Sequence, residues 1–133
     1  MNFLIKKFRN FSALKESRLL ALEVYKITEN FPREEPYGIA GQLRKAANSV
    51  KENIAEGLAE RYIRDKIKFY YSARRSIIEV QYFLSLAKNL GYIDGFKKCK
   101  DLDKRVSEVK EMIDNLIKLV ENQEGAINKR DNK

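Results

Sequence analysis

Apolar residues fall into four runs with helical spacing, divided by short joints of turn-forming and polar residues. From Ser12 to about Asn30, Leu14, Leu20, Ala21, Val24 and Ile27 return every three to four positions, and Ser12 is placed to cap this first helix. The stretch Phe31-Pro32-Arg33-Glu34-Glu35-Pro36-Tyr37-Gly38 holds both prolines and biases the residue before each away from helix. Beyond it, Ile39, Leu43, Ala46, Ala47, Val50, Ile54 and Leu58 share one side of a second helix, which the pattern ends near Gly57 as a C-terminal cap. A third helix runs from near Tyr62 to Leu90, with Ile63, Ile67, Tyr70, Ala73, Ile77, Val80, Leu84 and Ala87 as its buried stripe and Gly91 as its stop. It should be ~40 Å long at 1.5 Å per residue. The fourth starts after Asp94 and keeps Leu102, Val106, Val109, Ile113, Leu116, Ile117 and Val120 on one face to about Asn122. No window alternates with period two, so no strand competes.

Four long amphipathic helices with short joints make an all-α, antiparallel up-down four-helix bundle the natural packing. The chain divides into a basic N-terminal arm (1–11), the bundle domain (12–122) and a polar flexible tail (123–133). Its 133 residues, 44% hydrophobic and 35% charged, suit one domain.

Composition removes whole classes of chemistry. With no histidine and one cysteine, no Ser-His-Asp or Cys-His nucleophile, zinc site or Glu-x-x-His di-iron pair can be assembled, and no disulfide can close within the chain. No cofactor or metal is expected. Cys99 reads as a spectator thiol, and this usage fits a reducing cytoplasm. The longest uncharged stretches fall far short of the ~18 apolar residues of a membrane span. The start, Met1-Asn2-Phe3-Leu4-Ile5-Lys6-Lys7, lacks the apolar run and cleavage site of a signal peptide.

Charge changes the picture most. Of the net +8, residues 1–11 hold +3, through Lys6, Lys7 and Arg9, and residues 61–105 hold +7, while the remaining segments are each slightly acidic. On helix three, Arg64, Lys68, Tyr71, Arg75, Ile78 and Tyr82 follow alternating spacings of four and three, roughly opposite the buried stripe. Arg61, Lys66 and Arg74 thicken the charge at one end. A solvated face, a subunit interface built on Tyr71, Ile78 and Tyr82, and a nucleic-acid surface built on the cations all fit this line, and an apolar end with a basic end combines the last two. A second cluster, Lys97, Lys98, Lys100, Lys104 and Arg105, opens helix four, giving two positive poles.

The run Phe31-Pro32-Arg33-Glu34-Glu35, then Tyr37-Gly38, Gln42-Leu43-Arg44-Lys45-Ala46-Ala47 and Asn53-Ile54-Ala55-Glu56-Gly57, resembles the four-helix bundle proteins encoded in intervening sequences of bacterial large-subunit ribosomal RNA genes. Ser76-Ile77-Ile78-Glu79, Ala87-Lys88-Asn89-Leu90-Gly91-Tyr92-Ile93 and Leu116-Ile117-Lys118 extend the match over about residues 8–120. Leu14 stands where the family often has tryptophan, and Lys51 where it often has proline, which leaves helix two straighter. The resemblance implies a homo-oligomer, a pentameric barrel of bundles without enzymatic activity. The fold is also similar to the accessory variability determinant of diversity-generating retroelements, a basic pentamer that binds nucleic acid and assists a reverse transcriptase.

The resulting expectation is a non-catalytic, oligomeric accessory protein of the cytoplasm. It binds RNA, or less favourably DNA, through the basic surface, and has no membrane role. The alternative is a protein scaffold whose basic rim recruits an acidic partner. Arg44, Asn53, Glu56 and Glu79 are expected in hydrogen bonds or ion pairs between helices or subunits, in preference to acid-base work by the two carboxylates.

Overall fold

The computed structural model describes residues 2–131, and within them the side chains other than those of residues 2, 3, 5, 6 and 131. It is built of α1 (Asn2–Thr28), α2 (Ile39–Ala59), α3 (Ile63–Asn89) and α4 (Phe96–Asp131). Each helix packs on the next and α1 packs on α4, closing the bundle. Cross-helix hydrogen bonds run antiparallel: Arg44 meets Thr28 while Asn48 meets Tyr25, and Arg74 meets Asp114 while Lys88 meets Asp103.

The core lies along the expected stripes. Leu20, Val24, Leu43, Val50, Ile54, Ile77, Val80, Leu84, Val106, Val109 and Ile113 are all buried, with Tyr70 the bulkiest of the fully enclosed side chains. Leu14, Leu58, Ile63 and Ile67 pack against this core from partly buried positions.

The helix ends depart from expectation at three places, each for a local reason. Residues 2–11 are the first turns of α1, not an arm, because no glycine or proline interrupts them. At the other end, α4 runs through residues 123–131, where a tail was expected; Gly125 costs helix about 1 kcal/mol against alanine but does not stop it. Gly57 lies inside α2 and caps nothing. A Cβ there would stand 2.4 Å from Tyr70 Cε1, so the residue is glycine because a buried ring occupies the space.

The joints are tied by side chains and backbone. Glu35 accepts from the N–H of Tyr37 (3.0 Å) and of Ile39 (2.8 Å), supplying the α2 cap that Gly38, in left-handed backbone at φ 62°, cannot give. Lys66 donates to the carbonyls of Gly57 (3.1 Å) and Leu58 (3.2 Å) at the end of α2. At the end of α3, Gly91 N–H bonds Lys88 O and Tyr92 N–H bonds Ala87 O, both at 2.9 Å, a Schellman ending that needs Gly91 at φ 77°.

Candidate nucleic-acid interface

The antiparallel order brings the start of α1, the start of α3 and the end of α4 to one end of the bundle, where Asn10, Lys66 and Gln123 line one cleft. Lys7, Arg9, Arg61, Arg64 and Lys68 stand exposed on the segments that meet there, with Lys129 and Arg130 in the last turn of α4. None of these cations forms an ion pair among the described residues. The Arg61 guanidinium lies 5.8 Å from the ring centre of the exposed Tyr62. The side chain of Lys6 lies outside the described residues.

Four basic residues of the 61–105 segment are tied up inside the chain. Arg74 Nε donates to Asp114 Oδ1 of α4 at 2.9 Å. Arg105 reaches Glu23 (3.3 Å) and Glu16 (3.6 Å) on α1, and Lys88 pairs with Asp103. Lys66 is bound to the α2 carbonyls, and burial holds its ammonium below the ordinary lysine range, with the charge of Glu60 opposing the shift. At the opposite end, Lys97, Lys98 and Lys100 are exposed and free of ion pairs among the described residues, and Lys100 Nζ sits 5.4 Å over the Phe96 ring. The two poles therefore survive, each smaller than the sequence count.

The outward line of α3 is exposed along its length: Arg64, Lys68, Tyr71, Arg75, Ile78 and Tyr82. Tyr71 donates its hydroxyl to Glu121 of α4, a bond that, ahead of burial and the Glu121 charge, raises the phenol above its usual pKa. Tyr82 rests edge-on against Phe83, centroids 5.2 Å apart.

A second outward line was not anticipated. Leu4, Phe8, Phe11, Lys15, Arg18, Leu22 and Tyr25 repeat at spacings of four and three along α1, and its apolar members are exposed, Phe8 at 72%. The heptad spacing was visible in the sequence. It runs opposite the buried Ala13, Leu20, Val24 and Ile27, so α1 is apolar on both sides.

The polar motif residues divide. Arg44 donates from Nε to Thr28 Oγ1 (2.7 Å) and lies 4.9 Å over the Tyr25 ring, joining α2 to α1. Asn53 donates to the carbonyl and hydroxyl of Ser49, whose hydroxyl meets Ser76 of α3 at 2.8 Å. Glu56 and Glu79 are exposed, project from solvent-facing flanks and make no side-chain hydrogen bond or ion pair among the described residues. Glu79 lines a groove between α2 and α3, and Glu56 is not part of that lining. Cys99 is a free, half-buried thiol. Among the described residues no helix is long and apolar enough to cross a membrane, and no cluster of three metal-ligating side chains occurs.

A crystal structure of a protein of unknown function from the S23 ribosomal protein family of Bacteroides thetaiotaomicron has the same fold: 18% identity, 83% of this chain and 98% of that one covered, TM-score 0.75. No curated protein matches this chain. The family described as 23S rRNA-intervening sequence protein matches residues 9–115, and its landmarks lie where the bundle needs them, from the Glu35 cap through the Asn53–Gly57 string to the Gly91 ending. The chain belongs to the 23S rRNA-intervening sequence protein family.

Proposed function

We propose that the chain is a non-catalytic, self-associating accessory protein that binds nucleic acid, RNA before DNA. The observation that carries this reading is one end of the bundle, at which Lys7 and Arg9 on α1 and Arg61, Arg64 and Lys68 at the start of α3 are exposed and form no ion pair among the described residues. Arg61, Arg64 and Lys68 lie close to exposed Tyr62 along the chain at the start of α3, and Lys7 and Arg9 close to exposed Phe8 and Phe11 on α1, so each element offers phosphate contacts and stacking surfaces together. RNA is favoured because the family is described by its place in a ribosomal RNA gene. The absence of histidine supports a binding role over acid-base work.

Self-association is supported by the two outward lines. They lie on α1 and α3, which are diagonal in the bundle, so they face opposite directions. The Tyr25–Asn48 and Ser49–Ser76 hydrogen bonds put Leu22 and Tyr25 at about the height of Ile78. One copy's α1 can therefore meet the next copy's α3 apolar part to apolar part, a head-to-tail contact that closes into a ring such as the pentamer implied by the resemblance.

The test is affinity for a labelled structured RNA at several salt concentrations, comparing the wild type with the double variant Arg64→Glu, Lys68→Glu. The wild type should bind with a steep salt slope. The variant should lose affinity and about 1.4–1.8 units of slope, from ~0.7–0.9 per phosphate contact, with helicity retained. Equal affinity and slope in the two proteins would overturn the reading.

A further inference from the structure

The groove between α2 and α3 has a volume of about 680 Å³ and is lined by Gln42, Lys45, Ser49 and Asn53 from α2 and by Ser72, Arg75, Ser76, Glu79 and Phe83 from α3. Its floor is a chain of hydrogen bonds with a direction. Ser76 Oγ donates its single hydrogen to Ser72 O (3.1 Å), so in the 2.8 Å contact between the two hydroxyls Ser49 is the donor. Asn53 Nδ2 then donates to Ser49 O (2.8 Å) and Ser49 Oγ (3.1 Å). Gln42 turns its amide nitrogen away, to Tyr37 O at 2.9 Å.

The hydroxyl and amide donors of Ser49, Ser76 and Asn53 are thus spent within the protein. What the groove has left for a ligand is the Asn53 carbonyl oxygen and the Glu79 carboxylate as acceptors, Lys45 and Arg75 as cations, and the half-buried ring of Phe83. A ligand that complements this set carries an anion and, within a few ångströms of it, a hydrogen-bond donor on a flat ring. Those are the attributes of a nucleotide with an amino-bearing base.

We propose that the groove holds one nucleotide of a single RNA strand, its phosphate on Lys45 and Arg75 and an exocyclic amino group donating to Glu79 and Asn53. Cytosine and adenine present such an amino group, whereas uracil presents a carbonyl oxygen at the corresponding edge and meets the Glu79 carboxylate with an acceptor. Phe83 gives the base an aromatic neighbour. Arg75 also belongs to the outward line of α3, so the groove continues the basic surface. This inference rests on the nucleic-acid reading above and adds to it a site and a base preference.

The experiment measures binding of oligo(C), oligo(A) and oligo(U) of equal length at one salt concentration, and of CMP and UMP alone, by wild type, Glu79→Gln, and Arg64→Glu with Lys68→Glu. Wild type should favour oligo(C) and oligo(A) over oligo(U) by about tenfold or more. In Glu79→Gln, whose amide can also donate, the preference should fall to within about twofold while the salt slope is unchanged, since Glu79 touches no phosphate. The pole variant should weaken all three strands alike and keep the preference. Strands that bind with a steep salt slope but without base preference, or a preference untouched by Glu79→Gln, would overturn the groove assignment and leave the basic-surface reading standing. No strand binding with CMP still favoured over UMP would do the reverse. Binding of neither strand nor mononucleotide would overturn both.

Discussion

Gly57 and Gly41 lie in the same helix and should respond oppositely to the same substitution. A Cβ added at Gly57 would stand 2.4 Å from Tyr70 Cε1, 2.8 Å from Cδ1 and 3.2 Å from Cζ, whereas at Gly41 it would meet nothing within 4 Å. Tyr70 is buried among core side chains, so its ring gives way only by shifting them or by moving towards the cleft it lines. Overpacking of this kind costs about 2–3 kcal/mol, and replacing a helical glycine by alanine recovers about 1 kcal/mol. Gly57→Ala should therefore be destabilised by about 1–2 kcal/mol, a fall in Tm of about 3–10 °C for a chain of this size. Gly41→Ala should gain about 0.5–1 kcal/mol.

Thermal melts followed by circular dichroism, at one protein concentration because any self-association would shift Tm, measure both. The double variant Gly57→Ala, Tyr70→Leu isolates the cause. With the ring gone, alanine at 57 should become neutral or stabilising relative to Tyr70→Leu alone, a coupling that independent sites would not show. A Gly57→Ala protein as stable as the wild type, beside a stabilised Gly41→Ala, would refute the reasoning.

Three further outcomes can be checked with the same melts. Glu35→Ala should cost about 0.5–2 kcal/mol, because the carboxylate caps the first turn of α2 through the Tyr37 and Ile39 N–H groups. Arg44→Ala should cost about 1–2 kcal/mol through the lost bond to buried Thr28 and the lost stacking on Tyr25, and Arg44→Lys should recover less than half, since a lysine has no planar guanidinium to stack. Burial pushes the Tyr70 phenol up to about 12 from its ordinary 10, so the folded chain holds this proton where the unfolded chain releases it. The associated stability is intact below pH 10 and lost as pH rises towards 12; the loss across that window should be smaller in Tyr70→Phe.

The buried stripes were legible because each core line repeats at helical spacing against charged neighbours, as Leu102, Val106, Val109 and Ile113 do on α4. The start of α1 was not. Its outward line, Leu4 to Tyr25, interleaves with the core line, and two apolar faces on one helix cancel the amphipathic signal that marks a helix. Gly57 misled for another reason: a glycine near a helix end reads as a cap, and only the Tyr70 ring, thirteen positions on, explains it. The exposure of Arg64, Lys68 and Arg75 followed from spacing alone. The neutralisation of Arg74 did not, because Asp114 is forty positions away on a different helix. Local pattern fixes which face a side chain occupies; which charge answers it depends on the packing of helices.

That distinction also bears on how the two outward lines can be used. A bundle of four helices needs one apolar face from each, yet α1 and α3 carry a second, and their diagonal placement sets Leu22 and Ile78 on opposite sides of the molecule. A two-fold contact through α1 would cover Leu22 in both copies and leave Ile78 and Tyr82 bare, and one through α3 would do the converse. A head-to-tail contact covers Leu22, Tyr25, Ile78 and Tyr82 in every copy through a single interface. Under a ring symmetry the same contact repeats the basic end of each bundle, with its exposed Arg61, Arg64 and Lys68, on one rim of the assembly. Such a rim of repeated cation clusters would engage successive phosphates of one strand, so that clusters weak in a single copy would add up along a polyanion. On the proposed reading self-association and nucleic-acid binding are linked: contact of Leu22 and Tyr25 with Ile78 and Tyr82 would set the spacing at which the basic ends are presented.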